Sequence, residues 1–253
     1  MALLHEKTIL VTGGSTGIGR ATATTLAAEG ARVVVADLQD VAGQETVETI
    51  VQAGGEAEYH HADVADFAGM SALIDGVVQR YGSLDGAFNN AGIEGPTAKI
   101  LDLSVEDWER VMRVNLTGVF ICMKCEIAQM VKQGGGGSIV STASAAGLIG
   151  IPGAAGYNSA KHGVVGLTKT VALEYASRKV RVNAVCPGFI DTPMLNRVTD
   201  ASVKIRDQLI GTVPMRRVAG PSEIADAVTW LLSDRSSYVT GVALPVDGGW
   251  VAQ

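Results

Sequence analysis

The segment from Thr8 to Gly30 constrains the fold most. Thr8-Ile9-Leu10-Val11-Thr12 is a β-branched apolar run without polar alternation, a glycine turn follows at once, and a helical pattern starts near Gly17 and ends around Gly30. Such a run reads as a central strand buried on both faces. Similar short runs recur at Arg32–Ala36, Ala57–His61, Leu84–Phe88, Ser138–Ser141, Val180–Val185 and Val242–Val246. Helical patterns lie between them at Val41–Gln52, Met70–Tyr81, Val105–Gln133, Tyr157–Ser177, Ala201–Gly211 and Ser222–Asp234. This alternation predicts an α/β fold, a doubly wound parallel sheet of about seven strands with helices on both faces. No linker interrupts it, so residues 1–253 read as a single domain. Gly134-Gly135-Gly136-Gly137 reads as a tight helix-to-strand connection, because no helix starts after it.

Composition narrows the function classes. With 47% hydrophobic and 18% charged residues among 253, the chain has ample core and is neither disordered nor a disulfide scaffold. A net charge of −6 repels polyphosphate, so nucleic acid is not an expected partner. Three cysteines cannot form a closed set of bridges, and His5-Glu6-Lys7 interrupts the start before any secretory apolar stretch. A cytoplasmic location is expected. No uninterrupted apolar run approaches the ~18–20 residues of a membrane span, so no membrane partner is expected.

The glycine turn carries the first chemistry. In Thr12-Gly13-Gly14-Ser15-Thr16-Gly17-Ile18-Gly19 a strand gives way to a helix, so backbone N–H groups and a helix N-terminus face one point and suit a pyrophosphate. The spacing departs from G-x-G-x-x-G, and taken alone the segment also reads as an ordinary glycine turn. Asp37, at the end of the second strand, stands close to the offset at which an acidic group meets an adenosine ribose. Its charge would repel a 2′-phosphate, and Ser15, Thr16 and Leu38 supply no cation to neutralise one, so NAD(H) is expected over NADP(H). Tyr157 and Lys161 lie four apart on a predicted helix and share a face. A nearby ammonium stabilises phenolate, which would let Tyr157 exchange a proton with a substrate oxygen.

The glycine turn, Asn89-Asn90-Ala91-Gly92, Asn115, Ser144, Tyr157-x-x-x-Lys161, Pro187-Gly188 and Val246-Asp247-Gly248-Gly249 together resemble the classical short-chain dehydrogenase/reductase family, over essentially the whole chain. The resemblance implies a Rossmann-type fold and an oxidoreductase moving hydride between NAD(H) and a secondary alcohol or ketone. It implies Tyr157 as acid/base, Lys161 as its pKa modulator and ribose anchor, Ser144 as the hydroxyl holding the substrate oxygen, and Asn115 as holder of a proton-relay water. Gly13, Ser15, Thr16, Gly17, Ile18, Gly19 and Asp37 would bind the cofactor. Asp63 and Val64 would touch its adenine ring. Asn89, Ala91 and Gly92 would wall the ribose side, and Pro187, Gly188, Ile190 and Thr192 would meet the nicotinamide end. A substrate loop is expected at about 188–215, and a homotetramer is implied by helices 105–133 and 157–177.

The expected pocket residues Ala145, Leu148, Ile149, Ile151, Met194, Leu195, Ile205 and Leu209 are apolar and offer no cation, which favours a hydrophobic alcohol or ketone. Glu94 is the exception and reads as rim. The alternative enzyme reading is a 3-oxoacyl-carrier-protein ketoreductase, which usually goes with NADPH; outside enzymes, a catalytically silent NAD-sensing protein. Cys122-x-x-Cys125 reads as core packing or an interface rather than a metal motif, and no metal is expected. His60-His61 send their rings to opposite faces and read as ordinary strand residues. Trp250 reads as packing, against a subunit contact or a pocket border.

Overall fold

The computed structural model describes residues 2–199 and 203–252. Seven strands form one parallel sheet: β1 Thr8–Thr12, β2 Arg32–Asp37, β3 Glu56–His61, β4 Gly86–Asn89, β5 Gly137–Thr142, β6 Val180–Pro187 and β7 Ala243–Val246, in the order β3-β2-β1-β4-β5-β6-β7. The helices are α1 Gly17–Ala28, α2 Asp40–Gln52, α3 Phe67–Tyr81, α4 Val105–Met112, α5 Val119–Gln133, α6 Ala155–Tyr175, α7 Pro193–Thr199, α8 Val203–Thr212 and α9 Pro221–Leu232.

β1 is fully buried, as its unalternated sequence requires, and its side chains divide between two cores. Leu10 joins Val34, Ala87, Ile139 and Val182 under α3, α5 and α6. Ile9 and Val11 join Val33, Val35, Phe88 and Val140 under α1, α2 and α9. Each such fully buried aliphatic side chain stabilises the fold by roughly 1.5–3 kcal/mol. The strand order reverses between β1 and β4, so the loops after these two strands diverge and leave a crevice at their carboxyl ends.

Three elements differ from the sequence expectation. The helix expected over Val105–Gln133 is continuous but contains a π-helical turn at Arg113–Gly118 centred on Asn115. The same run is long and apolar enough to cross a bilayer, which the sequence reading missed, yet more than half of its most apolar stretch is buried inside the protein. The loop after β6 folds into two helices, α7 and α8, where one was expected; Ala201 and the side chain of Ile205 lie outside the described residues. Helix α3 starts three residues early, at Phe67, because the Asp66 carboxylate caps it by accepting from Ala68 N–H. At Gly134–Gly137 the expected turn forms: Gly134 ends α5 in the left-handed conformation and Gly137 opens β5.

Candidate active site

The crevice is built outward from the glycine turn. Gly13 (φ +64°) and Gly17 (φ +53°) take the left-handed backbone that bends β1 into α1. A Cβ at Gly13 would lie 2.7 Å from Ala91 Cα, so the loop after β4 packs directly on the turn. Asn90 locks the two together: its amide donates to the Gly13 carbonyl at 3.0 Å and accepts from the Thr142 hydroxyl at 3.2 Å. Thr12 Oγ1 accepts from both Asn90 and Ala91 N–H. Asn90 stood in the quoted motif but was given no role; its signal was adjacency to Asn89. Asn89 itself turns away from the crevice, into the core, where its amide donates to Glu126 at 2.9 Å.

Thr16 takes the N-cap position of α1 but makes no side-chain capping bond. The N–H groups opening that helix are left without a side-chain acceptor, a cradle suited to an anionic pyrophosphate. Ser15 N–H is already taken by the Asp37 carboxylate at 3.1 Å. Asp63 accepts from Ala65 N–H and lies 3.4 Å from Arg113, while Val64 is buried against Gly118 of the π-turn.

At the other end, Lys161 on α6 donates to the Thr142 carbonyl at 2.6 Å and sits 5.6 Å from the centre of the Tyr157 ring. The Tyr157 phenol lies close enough to Ser144 for that hydroxyl to affect its titration, and the Ser144 hydroxyl accepts from Ala146 N–H at 3.1 Å. Burial pushes the Tyr157 pKa up, the Ser144 hydroxyl pulls it down and the Glu94 carboxylate raises it. Desolvation of the phenol is the largest of these effects, and the lowering expected from Lys161 is not among them. Burial also pushes Lys161 down to about 8.

Asn115 is fully buried, and both ends of its amide pair with Ile93: its carbonyl accepts from Ile93 N–H at 2.8 Å and its amide donates to Ile93 C=O at 2.7 Å. The side chain therefore anchors the loop carrying Gly92, Ile93 and Glu94. A Cβ at Gly92 would lie 3.1 Å from Asn115 Oδ1 and 3.7 Å from Lys161 Nζ, so glycine keeps this corner open.

Gly188 donates to Val246 C=O at 3.1 Å, and Ile190 is buried beyond it. Thr192 caps the start of α7 by accepting from Leu195 N–H, and its methyl lies 3.2 Å from where a Gly17 Cβ would stand. Of the residues expected at the nicotinamide end, Thr192 thus reaches back to the glycine turn. Across the mouth, Arg197 of α7 makes a two-pronged ion pair with Glu94 at 2.8 and 3.2 Å. Arg197 is a cation at a rim expected to have none, and its pairing with Glu94 neutralises it there. Phe189 and Trp250 pack with tilted rings, centroids 4.5 Å apart, within the chain. Cys122 and Cys125 are buried, His60 and His61 bond Glu58 and Asp40 respectively, and no metal-binding cluster occurs among the described residues.

A family model described as "Enoyl-(Acyl carrier protein) reductase" matches residues 13–251. The chain is 45% identical over the full length of both proteins to a 2,5-dichloro-2,5-cyclohexadiene-1,4-diol dehydrogenase of Sphingobium indicum. It is 43% identical to a cyclohexanol dehydrogenase of an Acinetobacter species, over 98% of this chain and 96% of that one. The crystal structure of levodione reductase superposes with a TM-score of 0.95 at 38% identity, covering 98% of this chain and 99% of the other. A parallel seven-stranded sheet, an uncapped glycine-turn helix and a Ser144–Tyr157–Lys161 cluster at its switch point, joined to these matches along the whole chain, make this protein a member of the short-chain dehydrogenase/reductase family.

Proposed function

We propose that the protein is an NAD-dependent dehydrogenase of hydrophobic ring-type secondary alcohols, working reversibly on the corresponding ketones. The observation that carries this reading is the placement of Ser144, Tyr157 and Lys161 around one point beside the open N-terminus of α1. The residues fit a dinucleotide: the glycine turn and α1 would hold its pyrophosphate, Asp37 its adenosine ribose, Asp63 and Val64 its adenine, Ala91 and Gly92 its ribose wall, and Pro187, Gly188, Ile190 and Thr192 its nicotinamide end. Bound there, the cofactor supplies the hydride acceptor or donor.

The protein's own part is to orient and to move a proton. Ser144 donates to the substrate oxygen and fixes its distance from Tyr157. Tyr157 takes the hydroxyl proton in oxidation and returns it in reduction. Lys161 spends one of its three protons on Thr142 C=O and keeps two for ribose hydroxyls, while its charge favours the phenolate. The π-turn at Asn115 loosens the regular backbone ladder there, so a relay water would be held by a backbone carbonyl rather than by the Asn115 amide.

The ring preference draws on the relatives, whose names specify cyclohexadienediol and cyclohexanol substrates. Leu148, Ile149 and Met194, expected in the pocket wall, are apolar and partly exposed, Ala145 is fully buried, and the rim charge of Glu94 is neutralised by Arg197. The carrier-protein reading is supported by a relative named 3-oxoacyl-[acyl-carrier-protein] reductase, 39% identical over 98% of this chain, but the Asp37 carboxylate opposes the NADPH that such reductions usually use. A silent sensor would not need the complete Ser144–Tyr157–Lys161 set.

The test is NADH formation by the purified protein at mildly alkaline pH across cyclic, aromatic and long-chain secondary alcohols, with NADP+ run beside NAD+. Turnover of cyclic alcohols with NAD+ is expected; activity confined to carrier-bound 3-oxoacyl thioesters with NADPH would replace this reading by the alternative. The three buried free thiols suit a reducing cytoplasm. The helices of the α3–α5 and α6 layer leave Phe67, Phe120 and Leu173 exposed, 49%, 46% and 84%, which suits a homotetramer. Light scattering at micromolar concentration should give about four times the 26.2 kDa chain mass, and a monomer would refute it.

A further inference from the structure

The turn that carries Asp37 is braced from outside the crevice. Both carboxylate oxygens of Asp37 accept from backbone, Oδ2 from Ser15 N–H and Oδ1 from Gln39 N–H, each at 3.1 Å. Its carbonyl accepts from Ala62 N–H at 3.0 Å and from the Tyr59 hydroxyl at 2.8 Å. The same hydroxyl lies 2.7 Å from Asp40 Oδ1, which is also bonded to His61 Nδ1 at 2.7 Å. Tyr59 reaches these groups by crossing α2 at Gly43, where a Cβ would run into its ring. A glycine inside a helix is unfavourable relative to alanine, and here it makes the passage for the phenol.

We propose that Tyr59 is a positioning residue for cofactor discrimination: passing over Gly43 and sharing its single proton between the Asp37 carbonyl and the Asp40 carboxylate, it holds the β2–α2 turn so that the Asp37 carboxylate cannot withdraw from a ribose 2′ position. This rests on the reading of Asp37 as the ribose acceptor. A carboxylate free to retreat would relieve its repulsion with a 2′-phosphate, whereas one pinned through its backbone keeps it. Phenylalanine at 59 leaves the ring over Gly43 and leaves the Asp37 carbonyl paired with Ala62, so Tyr59→Phe removes the tether without orphaning a backbone group.

The experiment is direct titration of NADH and NADPH by fluorescence on wild type, Tyr59→Phe, Asp40→Asn and Asp37→Ala, with the unfolding temperature of each. Tyr59→Phe is expected to lower the ratio of the NADPH to the NADH dissociation constant about tenfold, through tighter NADPH as the repulsion is relieved and weaker NADH as the ribose acceptor retreats. Its unfolding temperature is expected to stay within about 2 °C. Asp40→Asn is expected to move the ratio the same way by less. A ratio within twofold of wild type in Tyr59→Phe, or equal weakening of both cofactors, overturns the proposal. If Asp37→Ala keeps the NADH preference, the reading beneath it fails and takes the brace with it. If Asp37→Ala equalises the cofactors while Tyr59→Phe changes nothing, the brace alone fails.

Discussion

The floor and the roof of the crevice are held by different kinds of interaction. The floor, from the glycine turn through Asn90, Thr142 and Lys161 to Asn115, is fastened by hydrogen bonds between backbone groups and buried or half-buried side chains. Such bonds are sheltered from water, and breaking one leaves a buried group unpaired at a cost of about 1–3 kcal/mol. The roof, helix α7, meets the opposite rim through Arg197 and Glu94, whose side chains are 59% and 30% exposed. A solvent-facing ion pair is worth about 0–1 kcal/mol, although its two-pronged geometry places it at the upper end. On the proposed reading, chemistry belongs to the sheltered floor and substrate admission to the roof held by a solvent-facing pair.

The largest effect should come from breaking the floor. Tyr157→Phe removes the proton acceptor while leaving the glycine turn untouched, and kcat should fall by about 10³-fold with the NADH dissociation constant unchanged. Steady-state turnover and fluorescence titration check the two halves of that statement; retained activity above a few per cent of wild type, roughly thirty times the expected residue, would remove Tyr157 from its role.

Breaking the roof should do less. Arg197→Ala frees α7 and leaves Glu94 charged at the rim, where the carboxylate is at present held below its usual range by the arginine. KM for a cyclic alcohol should rise about three- to tenfold with kcat nearly constant, the pattern of lost uniform binding. The rise should shrink in high salt for wild type and variant alike to a common value, because salt screens the pair.

The smallest effect concerns the floor's underside. Glu126 on α5 is fully buried beneath Asn89, and burial pushes its pKa from 4.5 up to about 8 despite the amide bond that pulls it down. Between those two values the folded protein holds a proton that the unfolded chain releases, so stability is greatest below pH 4.5 on this account and is lost as pH rises through about 8. Glu126→Gln should flatten that decline in the unfolding temperature measured from pH 5 to 9. A parallel decline in wild type and variant would mean that Glu126 is not the group responsible.

Much of the floor was legible in the sequence because its requirements are local. A β-branched run followed by glycines fixes β1, the turn and α1, and Tyr157 and Lys161 share a face by helical spacing alone. The structure's own additions are long-range. Asn90 acts through Gly13 and Thr142, Tyr59 acts through Asp37 and Gly43, and Arg197 meets Glu94 from 103 positions away. None of these pairings leaves a periodic trace. Gly43 was readable as an oddity inside a helix, but only the aromatic ring lying on it explains it. The π-turn at Asn115 was hidden for a similar reason: a helix pattern with one inserted residue keeps its apolar face and betrays nothing in composition.

The division between floor and roof is tested most directly by measuring kcat and KM for one cyclic alcohol with wild type, Tyr157→Phe and Arg197→Ala side by side at saturating NAD+. The account predicts that the tyrosine variant loses kcat and the arginine variant raises KM while keeping kcat within about twofold. A loss of kcat in Arg197→Ala comparable to that in Tyr157→Phe would contradict it, because the roof would then be part of the chemistry.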